Sequence, residues 1–280
     1  MKTPLKMARV LCAALFLLGA GDALAAQRVI TLAPSATELV YAAGAGADIV
    51  ATDRSSDYPP VVRTLPRVGD VMQINDEAVL ALHPTLVVGW QPSGSTAALA
   101  TRLADLGIPL IYANPKTLED IPKLIRSLGQ RLGTQATADS KAQHLSQQIA
   151  ALKAPPGPPQ TVFIEVSADP LYTLGRDPLT NDILKRCGGR NLYAGSRIAA
   201  PQVSAESVLH LNPDVVIMSP YGHDTLEARR QWWAQHGLPA ARDGHFYAVD
   251  PDWLHRPGPR LIKAALTICQ DLAAGANALS

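Results

Sequence analysis

The chain has 280 residues and a formal net charge of +1, with 18% charged residues. That balance excludes the basic surplus by which nucleic-acid binders and polybasic membrane proteins grip phosphate and anionic lipid. Hydrophobic residues make up 47% of it, enough for packed cores, and the length exceeds what one core usually serves, so two domains are expected.

Residues 1–25 read as an export signal: Lys2, Lys6 and Arg9 form the basic start, VLCAALFLLGAG at 10–21 the apolar middle, and Ala23-Leu24-Ala25 a small-residue cleavage site. The apolar run is shorter than the ~20 residues a spanning helix needs. A soluble protein outside the cytoplasm, cleaved near Ala25, is expected, and its formal charge then falls to −1. Cys12 lies inside the signal core and has no small-residue site just ahead of it, so it is not read as a lipidation cysteine.

Short apolar runs at 29–32, 49–52 and 109–113 read as buried strands, separated by stretches of helical periodicity. The run EAVLALHPTLVV at 77–88 returns as ESVLHLNPDVVI at 206–217, sharing E-x-V-L-x-L-x-P-x-(L/V)-V-(V/I) at a spacing of 129 residues. Each copy reads as a short helix ended at Pro84 or Pro213 and followed at once by a buried strand. A unit repeated in each half suggests two similar lobes, although helix-strand joints of this kind also recur by chance.

Between the halves, residues 137–154 hold no Gly or Pro and place Ala142, Leu145, Ile149 and Leu152 on one face, which predicts a continuous amphipathic helix. The PPGPP run at 155–159 ends it. Beyond, 161–166 and 246–249 read as further strands. The expected fold class is therefore α/β: two Rossmann-like lobes with mainly parallel sheets, at 26–134 and 160–280, joined across 135–159 by one long helix and its Pro-rich link.

Cys187 and Cys269 are the cysteines left after cleavage, and an oxidising compartment favours their pairing over two buried thiols. Seven histidines, His83, His144, His210, His223, His236, His245 and His255, show neither HxxxH nor HExxH spacing, and no metal site is expected; His255, beside Arg256, is kept as a cleft contact. No G-x-S-x-G elbow, phosphate loop or G-x-G-x-x-G fingerprint occurs, so an enzyme is not expected.

The opening RVITLAPSATELVYAAG, SDYPP at 56–60, the repeated unit, PQVSAESVL at 201–209, DWLHRPGPR at 252–260 and the two cysteines together resemble the periplasmic vitamin B12-binding proteins of ABC importers. These belong to the helix-linked class of solute-binding proteins that also serves haem and ferric siderophores. The resemblance spans the whole mature chain. It implies a corrinoid cargo held between the lobes, no resident cofactor, and a monomer that works with an ABC permease and its ATPase. A haem or ferric-siderophore binder of the same fold is the alternative.

A corrinoid is a broad disc fringed with amides, which calls for flat apolar surface and a polar rim. Tyr58, Trp90, Tyr172 and Trp253 offer the first, at predicted strand ends or in loops. The resemblance puts Asp252 and Arg256 at the rim, though their i to i+4 spacing equally suits a local ion pair. It also implies that Glu77 and Glu206 dock onto arginines of the permease; a Glu in a first helical turn would otherwise serve the helix dipole. Two departures are visible: relatives often carry tryptophans within GDVMQIN at 69–75 and just before PQVS, where this chain has Val71-Met72 and Ala199-Ala200. The first of those segments also lacks the axial Tyr or His that haem iron requires.

Overall fold

The computed structural model describes residues 27–219 and 224–279. The export signal, its cleavage site, Cys12 and His223 lie outside the described residues.

The N-terminal lobe alternates strand and helix: β1 (Val29–Thr31), α1 (Pro34–Ala42), β2 (Ile49–Thr52), α2 (Asp76–Ala81), β3 (Leu86–Gly89), α3 (Gly94–Asp105), β4 (Leu110–Tyr112) and α4 (Asp120–Leu132). Its sheet runs in the order β2-β1-β3-β4, with every pairing parallel. β3 is buried at all four positions, as befits an apolar strand covered by helices on both faces.

Helix α5 (Gln135–Ala150) leads out of this lobe, after Gly133 has turned the chain in the left-handed region at φ 74°. The two helices pack closely: a Cβ on Gly129 of α4 would lie 2.2 Å from the Cβ of Ala138 on α5, so only glycine fits there. The predicted helix 137–154 is thus displaced to 135–150, and Leu152 lies beyond its end, half-buried. The Pro155 ring would clash with the carbonyl four residues earlier, and the residue before a proline avoids the helical region, which unwinds the chain from Ala151 onward. Ala142, Leu145 and Ile149 are buried, as the periodicity predicts.

The C-terminal lobe follows: β5 (Gln160–Glu165), a short antiparallel ribbon of β6 (Ser167–Ala168) and β7 (Leu171–Tyr172), α6 (Pro178–Arg186), β8 (Gly189–Asn191), α7 (Ala205–Leu211), β9 (Val215–Met218), α8 (Leu226–Gln235), α9 (Pro239–Arg242), β10 (Phe246–Ala248), α10 (Pro251–Leu254) and α11 (Leu261–Leu279). Its parallel sheet has the order β10-β9-β5-β8. Taken by rank along the chain, this is the order of the first sheet: the second strand lies on one side of the first, and the third and fourth lie on the other. The sequence repeat therefore marks a repeated topology, with α2–β3 matching α7–β9. Even the residues before the two prolines agree, His83 at φ 47° and Asn212 at φ 44°, left-handed positions that His and Asn tolerate better than most.

One apolar cluster runs through both lobes and the connection, from Val29 and Leu39 through Ala142 and Leu145 to Val162, Ile268 and Leu272. Two smaller clusters cover the other sheet faces. A disulfide joins Cys187, at the end of α6, to Cys269 on α11 across 82 residues of sequence. In the chain-entropy account a loop of that length stabilises the fold by about 4 to 5 kcal/mol. Between the lobes, Arg186 bridges Glu119 at 2.8 Å, and the Leu118 backbone N–H donates to Asp182 at 3.0 Å.

Candidate functional site

In both sheets the chain reverses direction across the first strand, and the crevice beyond the carboxyl ends of the strands at such a point is where open α/β sheets bind ligands. In the N-terminal lobe it opens between the ends of β1 and β3. Leu32, Ala33 and Pro34 follow β1; Trp90 and Gln91 follow β3; with Val71 and Ile74 they wall a cavity of about 410 Å³ closed on the other side by His255, Arg256 and Pro257. A neighbouring cavity of about 340 Å³ has Asn114 and Lys116 from the N-terminal lobe on one wall and Arg176, Asp177 and Thr180 from the C-terminal lobe on the other. Trp90, Gln91, His255 and Pro257 border both. The two volumes are compartments of one cleft between the lobes.

Trp90 is 37% exposed, a large ring left half in solvent where it faces a cavity. Val71 and Met72 stand out further, at 64% and 84% exposed. Their loop is held in shape by the Asp70 carboxylate, which accepts the Met72 and Gln73 backbone N–H groups at 3.0 and 3.1 Å, and by the Ser95 hydroxyl donating to the Val71 carbonyl at 2.8 Å. Those backbone bonds from Gln73 and Met72 hold the Asp70 carboxyl below the usual carboxylate range.

Charge gathers where the lobes meet beside this cleft. Arg256 pairs with Asp57 of the other lobe at 2.5 Å and with Asp252 at 2.7 Å. Arg260 grips Glu38 of α1 through two nitrogens at 3.0 and 2.7 Å. Glu38 is only 2% exposed. Burial pushes its carboxyl above the ordinary range, against the opposing pull of Arg260 and Arg256. At Asp57 burial also raises, but the hydrogen bond from Arg256 and the charges of Arg256 and Arg260 outweigh it, and the carboxyl lies low. Asp53, on the wall of the first cavity, is raised by burial while Ser56, the Ser55 backbone N–H and Arg67 pull it down. Burial lowers the His255 imidazole, which favours the neutral ring at neutral pH.

Of the residues singled out in the sequence, Trp90, Arg256 and His255 line the cleft. Tyr58 stands at the seam, 42% exposed, with the Arg260 guanidinium 4.3 Å from its ring centre. Tyr172 lies half-buried in the β6–β7 ribbon, four residues before Arg176. Asp252 is engaged with Arg256. Trp253 is not among the cavity walls: it packs against the main core, with the Lys263 ammonium 5.5 Å from its ring. Glu77 and Glu206 are exposed second residues of α2 and α7, one per lobe, each behind a capping side chain, Asn75 or Ser204. Lys116, Arg176 and the Glu38–Arg260 pair are absent from the sequence reading. Glu38 and Arg260 fall inside the two motifs quoted above, and a charge set among apolar residues in SATELVYAAG was the available signal.

Comparison with known proteins agrees with this architecture. The family described as "Periplasmic binding protein" matches residues 29–253. The chain belongs to that family. It is 37% identical over 254 residues to a vitamin B12-binding protein of Pectobacterium atrosepticum, with 88% of each chain covered. Among solved structures it is similar to the periplasmic vitamin B12 binding protein BtuF of Vibrio cholerae, at 32% identity and a TM-score of 0.77, covering 89% of this chain and 98% of that one. The periplasmic heme-binding protein RhuT of Roseiflexus sp. RS-1 shares the architecture at 27% identity and a TM-score of 0.75, covering 90% of this chain and 99% of that one. The helical-backbone, two-lobed α/β fold of these periplasmic binding proteins is therefore the fold of this chain.

Proposed function

We propose that this protein captures a corrinoid, vitamin B12 or a close relative of it, in the interlobe cleft and delivers it to an ABC-type permease. The observation that carries the reading is the cleft itself, walled by Trp90, Val71 and Ile74 on one side and by amide and charged groups on the other, in a chain whose relatives at 34–37% identity are named vitamin B12-binding proteins. Apolar surface suits the face of the disc, and Gln91 and Asn114 can exchange hydrogen bonds with its amide fringe. Tyr58 and Tyr172 offer flat ring surface to the disc in this reading, and Asp252 acts through Arg256. Binding is the whole of the activity; the permease's ATPase supplies the chemistry. Export across the inner membrane, with cleavage near Ala25, brings the mature monomer to its cargo in the periplasm.

Isothermal titration of the oxidised protein lacking residues 1–25 with cyanocobalamin, and with haemin as comparator, tests this. Saturable one-to-one binding of the corrinoid, with quenching of tryptophan fluorescence that shrinks in Trp90→Ala, is expected. Binding of haemin alone would replace the corrinoid by the haem alternative.

A further inference from the structure

The two compartments of the cleft differ in chemistry. Leu32, Ala33, Val71, Ile74 and Trp90 give the first its apolar wall. The second carries Lys116 from one lobe and Arg176 from the other. Both side chains are exposed, and among the described residues neither pairs with a carboxylate. Three arginines near the cleft are committed to carboxylates: Arg186 to Glu119 and Asp182, Arg256 to Asp57 and Asp252, and Arg260 to Glu38. Among the described residues the one carboxylate on the walls of the second compartment is Asp177, occupied in capping α6, where its Oδ1 accepts the Thr180 backbone N–H at 2.7 Å. His255 is the remaining titratable group there, and burial favours its neutral form. The compartment thus holds two uncommitted cations, one on each lobe, facing a common space.

We infer that this compartment is an anion subsite, and that Lys116 and Arg176 receive the phosphodiester of a complete cobalamin from opposite sides of the cleft. The inference rests on the corrinoid reading above and deepens it. An intact cobalamin carries one phosphodiester, in the loop that joins the lower base to the ring, whereas cobinamide ends in a neutral hydroxyl at that point. The apolar compartment takes corrin surface common to both molecules; the cationic compartment meets the group that only one of them has. A phosphate held by an ammonium on one lobe and a guanidinium on the other accepts charge-assisted hydrogen bonds from both. Such a group also ties the lobes together across the cleft.

The test is titration of the wild-type protein and of Lys116→Gln, Arg176→Gln and the double variant with cyanocobalamin and with dicyanocobinamide, at low and moderate salt. Wild type should prefer cyanocobalamin. The double variant should lose about tenfold in affinity for cyanocobalamin, a typical cost for removing charge-assisted hydrogen bonds at a partly solvated site, and should bind dicyanocobinamide as wild type does. Unchanged cobinamide binding also reports that the variants are folded. Added salt should weaken cyanocobalamin binding in wild type and have less effect in the double variant. Equal losses for both ligands, or no loss for either, would overturn the subsite while leaving corrinoid binding intact. Failure of wild type to bind either ligand would remove the corrinoid reading and the subsite with it.

Discussion

Glu38 and Arg260 show how much a single pair can hold when it is buried where two lobes meet. The carboxylate is 2% and the guanidinium 11% exposed, so neither could be well solvated without the other. Removing one partner leaves an uncompensated charge inside the protein, which costs more than the pair itself contributes. Glu38→Gln is expected to destabilise the fold by about 3 kcal/mol, read as a lower midpoint in urea denaturation; a midpoint within error of wild type would show that Arg260 finds water or another partner. Asp271, on α11, presents the opposite case. One of its oxygens is buried with no hydrogen-bond partner among the described residues, and burial raises its carboxyl to about 6. Its folded value lies above the ordinary 3.8, so between about pH 4 and 6 the folded state binds the extra proton. Stability then falls as pH rises through that window and stays lower above it. Asp271→Asn should therefore stabilise the protein at pH 7.5, by about 1 kcal/mol once partial solvation is discounted, and do little below pH 4. A constant gain at both pH values in thermal melts would assign the effect to something other than ionisation.

At the scale of elements, the sequence was most readable where hydrophobic burial alone decides the outcome. β2 falls at the positions its apolar run predicts, and β1, β4, β5 and β10 differ by a residue at one or both ends. The repeated helix-strand unit was legible because the same packing problem, a short helix handing over to a strand covered on both faces, recurs in each lobe. What escaped notice was structure decided by distant partners. β8, Gly-Arg-Asn, has no apolar pattern; it exists because Gln160, Thr161 and Val162 pair alongside it. The β6–β7 ribbon has two residues per strand and no periodicity to detect. The same reason hides half of the candidate site. Trp90 is conspicuous as a large ring at the end of an apolar run, but Lys116 and Arg176 are 60 residues apart and unremarkable until the lobes bring them to one cavity. Trp253, an aromatic in a matching motif, lies half-buried against the main core.

The whole molecule combines a two-fold repeat of topology with a core that is continuous across the connection, and this bears on how it could present itself to a partner. Because α2–β3 and α7–β9 occupy equivalent places, Glu77 and Glu206 become equivalent too: each is the exposed second residue of its helix, behind a capping Asn75 or Ser204. At Glu206, bonds from its own backbone N–H and from Ser204 hold the carboxyl below its ordinary range, so it stays charged. Neither glutamate lines the cleft. The shared apolar core, the Arg186–Glu119 bridge and the seam around Arg256 and Arg260 hold the lobes together. A permease with two similar halves could then grip one carboxylate on each lobe by charge-assisted hydrogen bonds. If the glutamates serve only their helix dipoles, replacing them lowers stability slightly and leaves transport unchanged. If they dock, Glu77→Ala combined with Glu206→Ala should leave corrinoid affinity and folding nearly unchanged while abolishing uptake by cells that carry the cognate permease, with each single variant impaired. Full uptake by the double variant would reduce the pair to helix capping and move the search for the docking surface elsewhere on the two lobes.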